Sequence, residues 1–93
     1  MEAVKHIHII ISGRVQGVWF RSSTKEKADE LGIKGWVRNL PNREVEIEAQ
    51  GGILPLEKFI EWCHSGPPGA DVTNVEIENI EHGKTLMDFR IIR

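Results

Sequence analysis

The chain lacks most of the features that would assign it to a large or specialised functional class. It has one cysteine, Cys63, among 93 residues, which excludes an internal disulfide framework and any multi-cysteine metal site. A lone thiol fits a reducing compartment, so a cytoplasmic location is expected. No apolar run approaches the ~20 residues a helix needs to cross a bilayer; near the start the longest is Ile9–Ile11. Met1–His8 carries Glu2, Lys5 and His6, which is no secretory signal. Twelve basic residues stand against fourteen acidic ones, a net charge of −2, so no basic excess is present to grip nucleic acid. There is no internal repeat, low-complexity tract or dividing linker. What remains is ordinary globular composition, 40% hydrophobic and 28% charged. One small domain spanning residues 1–93 is expected, with no membrane or nucleic-acid partner.

Hydrophobic period divides the chain into elements. His6–Ser12 alternates about Ile7, Ile9 and Ile11 and reads as a strand. After the loop Gly13-Arg14-Val15-Gln16-Gly17, residues Phe20, Thr24, Ala28 and Leu31 fall on one helical stripe, with Gly32 as a left-handed cap. Gly35–Leu40 is a second strand, and a turn at Leu40–Arg43 leads to a third, Glu44–Gln50. There Val45, Ile47 and Ala49 alternate with Glu44, Glu46, Glu48 and Gln50, so one side faces a core and the other faces water. Leu56, Phe59, Ile60 and Cys63 mark a second helix opened by Pro55, and Gly66-Pro67-Pro68-Gly69 breaks it. Val72–Ile80 reads as a fourth strand and Leu86–Ile92 as a short fifth.

The order β-α-β-β-α-β with a terminal strand predicts an α+β, ferredoxin-like fold: an antiparallel sheet with two helices on one face. Strands one and two then run parallel, with strand three between them and a right-handed crossover through the first helix. Their carboxyl ends share one edge of the sheet. The loop after Ser12 and the side chain of Asn39 become neighbours there.

Gly13–Arg21 leads from a strand into a helix. Such a loop can aim successive backbone N–H groups at one point, and the helix N-terminus adds partial positive charge. Arg21 stands at the junction, where its planar fork suits two oxygens of one phosphate. These residues are read as a cradle for a tetrahedral anion; an ordinary turn with a solvated arginine is the other reading of the same segment. No Gly-Lys-Ser/Thr follows, so it is not a Walker A loop.

Gly13-Arg14-Val15-Gln16-Gly17-Val18-Trp19-Phe20-Arg21, with Ala28, Leu31-Gly32 and Gly35-Trp36-Val37-Arg38-Asn39, resembles the signature of the acylphosphatase family. The likeness continues through Val45-Glu46, Gln50-Gly51, Phe59-Ile60, Gly66-Pro67, Ala70, Val72 and Phe89-Arg90-Ile91. It implies hydrolysis of carboxylic–phosphoric anhydrides to a carboxylate and inorganic phosphate, without metal or other cofactor and without a covalent intermediate. It further implies that Arg21 binds the phosphate and Asn39 positions the attacking water. Backbone amides of Gln16, Gly17, Val18, Trp19 and Phe20 complete a loop that would also take free phosphate or sulfate. A complete site on one small chain makes a monomer the default.

Two departures from the family pattern stand out. The Leu40-Pro41-Asn42-Arg43 turn has no glycine, and Asn42 is expected to take any positive φ. Trp19 places a large side chain at the mouth of the loop.

Other candidates are read as structural. His6 and His8 could chelate a metal, but are expected as two solvated histidines opposite the isoleucines. His64 and His82 are expected at the surface. Cys63 belongs to the apolar stripe of the second helix. The glutamates of strand three are expected to be solvated, Trp36 and Trp62 partly buried, and Arg14 and Arg38 structural or electrostatic. An RNA-recognition module shares the element order, but strand three here has no aromatic and carries carboxylates. A non-catalytic anion-binding or regulatory domain of the same shape is the alternative function.

Overall fold

The computed structural model describes residues 4–81 and 83–93. The surface position expected for His82 therefore lies outside the described residues, as do Met1–Ala3. The chain folds as β1 (Val4–Arg14), α1 (Phe20–Leu31), β2 (Lys34–Asn39), β3 (Val45–Gly52), α2 (Ile53–Ser65), β4 (Asp71–Asn79) and β5 (Phe89–Ile91).

The sheet order is β4-β1-β3-β2-β5. Strand β3 is antiparallel to both β1 and β2, so β1 and β2 run the same way. Strand β4 pairs antiparallel on the far side of β1. The one parallel pairing among these is β2 with β5, which makes the expected antiparallel sheet a mixed one at that edge. Hydrogen bonds along the crossing segment show why. Ile80 N–H donates to the His6 carbonyl at 2.8 Å, and Gly35 N–H donates to the Asp88 carbonyl at 2.8 Å. Between them the Gln50 Oε1 accepts from Leu86 N–H at 2.8 Å. The chain thus passes along the end of the sheet where β1 and β2 begin, and β5 must start beside the start of β2.

One face of the sheet is covered. Ile7, Ile9, Ile11, Val37, Val45, Ile47 and Ala49 are buried there, against Phe20 and Ala28 of α1 and Leu56, Phe59 and Cys63 of α2. Each large aliphatic side chain so buried contributes roughly 1.5–3 kcal/mol. Helix α1 lies over β2 and β5, while α2 lies over β1, β3 and β4. Gly32 stops α1 in the left-handed conformation, its N–H reaching the carbonyls of Ala28 and Asp29. Pro55 falls inside the first turn of α2, where its missing N–H would have had no partner.

The other face differs from the solvated strip the alternation predicts. His6 is only 8% exposed, and its Nε2 lies 3.0 Å from Glu48 Oε2. The crossing segment closes over this ring, so tightly that a side chain at Gly83 would strike it. His8 Nε2 lies 2.7 Å from Glu46 Oε2, a carboxylate that Arg38 also grips from β2. Arg38 further lies 5.4 Å from the ring centre of Trp36. Side chains of adjacent strands therefore pack against one another, Glu46 between His8 and Arg38 and Glu48 beside His6, and leave less room for water than expected. Burial alone would raise the Glu46 carboxyl, but the hydrogen bonds and charges of His8 and Arg38 outweigh it and hold its pKa below the ordinary value.

The Leu40–Arg43 turn also departs from expectation. The positive φ falls on Arg43, at 74°, and not on Asn42. Asn42 is used as a side-chain clasp instead: its Oδ1 accepts from Glu44 N–H at 3.1 Å and its Nδ2 donates to Glu44 Oε1 at 2.6 Å. That bonding fixes Asn42 and passes the left-handed residue to its neighbour.

Candidate active site

The site forms where β1 ends. Its register shifts between Ser12 and Gly13, and Gly13 takes a φ of 119° at a place where any side chain would run into the Asp71 backbone carbonyl. Past this bulge β1 has parted from β3 but stays paired with β4 through Arg14, and the loop follows. Val15 is fully buried and Phe20 nearly so, the latter tilted against Trp62 with ring centres 5.6 Å apart. These two anchors suspend the residues between them over the sheet edge. The Gln16 amide ties the loop to the neighbouring turn, donating to the carbonyls of Leu40 and Glu44 at 2.9 Å each. Gly17 completes the bend at a φ of 75° and leaves open space where a side chain would stand.

Asn39 is the last residue of β2, so the parallel course of β1 and β2 delivers it to the same edge. A cleft of about 370 Å³ opens there, walled by Gln16, Gly17, Trp19, Phe20, Arg21 and Asn39. Val18 is not on that wall; its side chain packs against the core. Four further residues line the cleft that sequence reasoning did not place in the site, Val15, Ser22, Ile91 and Arg93. The fifth strand was legible, but its parallel pairing with β2 was not, and only that pairing carries its end to this edge.

Basic side chains, Arg21 and Arg93, but no acidic ones among the described residues, line the cleft. Arg21 forms no ion pair with another described residue. Helix α1 begins at Phe20 with no side-chain cap and no acidic residue in its first turn, so its leading N–H groups are left for a ligand. Free donors, a helix dipole and a guanidinium in one concavity suit a phosphate group.

The remaining candidates lie elsewhere. Arg38 pairs with Glu46 on the open sheet face, and Arg14 lines, with Arg43, a groove on the other side of the Val15–Gly17 loop segment that also borders the cleft. His6 and His8 each meet a glutamate, and no group of three metal-ligating side chains occurs among the described residues. His64 is exposed, Trp36 and Trp62 are half-buried, and Cys63 is buried, which pushes its thiol pKa up.

Residues 7–91 match the family model described as acylphosphatase. The chain belongs to the acylphosphatase family. An acylphosphatase of Methylococcus capsulatus is 41% identical over 90 residues, covering 97% of this chain and 98% of that relative. Among solved structures, an acylphosphatase from Coxiella burnetii superposes with a TM-score of 0.90 at 43% identity, covering 96% of this chain and 93% of that one. An acylphosphatase from Bacillus subtilis gives a TM-score of 0.93 at 33% identity, covering 98% of this chain and all of that one. The acylphosphatase match takes in the whole Gly13–Arg21 loop and Asn39; Arg93 lies beyond it.

Proposed function

We propose that this chain hydrolyses acyl phosphates to a carboxylate and inorganic phosphate. The observation that carries this reading is the convergence of Arg21, Asn39 and the uncapped start of α1 on one cleft lined by no carboxylate side chain among the described residues. The phosphoryl oxygens rest on the N–H groups of Gln16 to Phe20 and in the fork of Arg21, with the charge of Arg93 adding attraction. The Asn39 carboxamide oxygen accepts from a water and holds it in line with the departing oxygen. The water oxygen forms the new bond to phosphorus, the bond to the acyl oxygen breaks, and the carboxylate leaves with the electron pair. The water proton passes to a phosphoryl oxygen. A carboxylate is a weakly basic leaving group, so neither a general acid nor a covalent intermediate is called for, and positioning with charge stabilisation suffices.

Residues 1–93 then act as one domain and as a monomer, because a single chain supplies every part of the cleft. The one thiol, Cys63, is buried away from solvent, which accords with a cytoplasmic setting.

Phosphate release by the purified protein tests the reading. Benzoyl phosphate should be cleaved at least about a hundredfold faster than phenyl phosphate, because the phenoxide leaving group of the monoester is far more basic than a carboxylate and calls for a proton that this cleft does not supply. Free phosphate should inhibit competitively. Comparable rates on both substrates would refute the mechanism, and phosphate binding without turnover of either would favour the non-catalytic alternative.

A further inference from the structure

The Trp19 indole has no task inside the fold. It is 81% exposed, and it lies outside the core and the side chains packed on it. The described ring pairs join Phe20, Phe59, Trp62 and Phe89, never Trp19. Its backbone is left-handed, φ 63° and ψ 24°, a conformation that bulky side chains rarely adopt. Glycine would relieve both penalties at once, the strained backbone and the exposed apolar ring. The fold therefore gives no reason for tryptophan here. Strain and exposed apolar surface in one residue point to contact with a ligand.

That residue is also the N-cap of α1, next to the helix's leading N–H groups, and it lines the cleft with Arg21 and Asn39. A phosphate held on those N–H groups would extend its acyl group out of the cleft, past the exposed indole. We propose that Trp19 is a specificity-determining platform for the acyl group, selecting planar aromatic acyl phosphates over small aliphatic ones. This rests on the acyl phosphate reading given above. A flat aromatic acyl group lays its face against the indole and removes apolar surface of both from water, whereas an acetyl group offers too little surface to do so.

The test is the ratio of kcat/KM for benzoyl phosphate to that for acetyl phosphate, in the parent, Trp19→Phe and Trp19→Gly. Glycine accepts the left-handed backbone, so the variant retains the local fold. Taking the ratio cancels both the intrinsic reactivity of the substrates and any shared damage to the phosphate cradle. The ratio should fall about fivefold or more in Trp19→Gly, as loss of one aromatic contact implies, and stay within about twofold of the parent in Trp19→Phe. Turnover of both substrates with an unchanged ratio in Trp19→Gly would overturn the platform while leaving the acyl phosphate reading intact. No turnover of either substrate by the parent would remove both.

Discussion

The two polar regions of this molecule, the open sheet face and the cleft, use similar residues to opposite ends. On the open face the basic side chains are partnered: Arg38 and His8 share Glu46, and His6 lies beside Glu48. At the cleft Arg21 has no such partner among the described residues, and the helix start beside it has neither a side-chain cap nor an acidic neighbour. Both arginines sit in motif blocks one helix apart. Pairing makes Arg38 part of the architecture, whereas lack of pairing leaves Arg21 with donors to spend on a ligand. Positive charge held apart from counter-charge costs stability, and a bound phosphate would repay it.

Breaking the unpaired region should produce the larger effect. Arg21→Ala is expected to lower kcat/KM for an acyl phosphate by about a thousandfold and to weaken phosphate inhibition as well, since the charge meets the phosphoryl oxygens before and during reaction. Arg21→Lys should lose about a hundredfold, because an ammonium keeps the charge and loses the fork. Thermal unfolding of both should stay within about 0.5 kcal/mol of the parent, as no internal partner is lost. A folded Arg21→Lys with parental kinetics would show that charge alone matters.

Breaking the paired region should do the reverse. Glu46→Gln removes the anion between His8 and Arg38, and should cost about 1 kcal/mol of stability at neutral pH while leaving turnover unchanged. The pH dependence has a definite sign. The folded-state pKa of Glu46 lies below its ordinary value of 4.5, so the stabilisation is fully present above that value and is lost as pH falls through the depressed one. The stability gap between parent and Glu46→Gln, followed by thermal unfolding from pH 7 downward, should therefore close below pH 4.5. A gap that stays constant to lower pH would assign the effect to packing.

Much of this was legible in the chain. Alternation at Ile7, Ile9 and Ile11 and at Val45, Ile47 and Ala49 showed which side of each strand is buried, and the element order implied the sheet topology. The same reasoning brought Asn39 to the Gly13–Arg21 loop, because parallel strands must end at one edge. Periodicity was silent on pairings between elements distant in sequence. The segment over His6 could not be foreseen, so that residue read as solvated. The parallel β2–β5 pairing was equally invisible, and with it the place of Arg93 in the cleft. Asn42 illustrates a local limit: asparagine tolerates positive φ, yet here its side-chain bonds to Glu44 hold it elsewhere and Arg43 takes the strained position.

The division of labour within the cleft is tested most directly by steady-state kinetics of Asn39→Ala on benzoyl phosphate with inorganic phosphate as inhibitor. If Arg21 and the loop hold the phosphate while Asn39 holds the water, the inhibition constant stays within about threefold of the parent and kcat falls by about a hundredfold. A folded Asn39→Ala that turns over normally, or one that loses phosphate binding as severely as Arg21→Ala, would contradict that division.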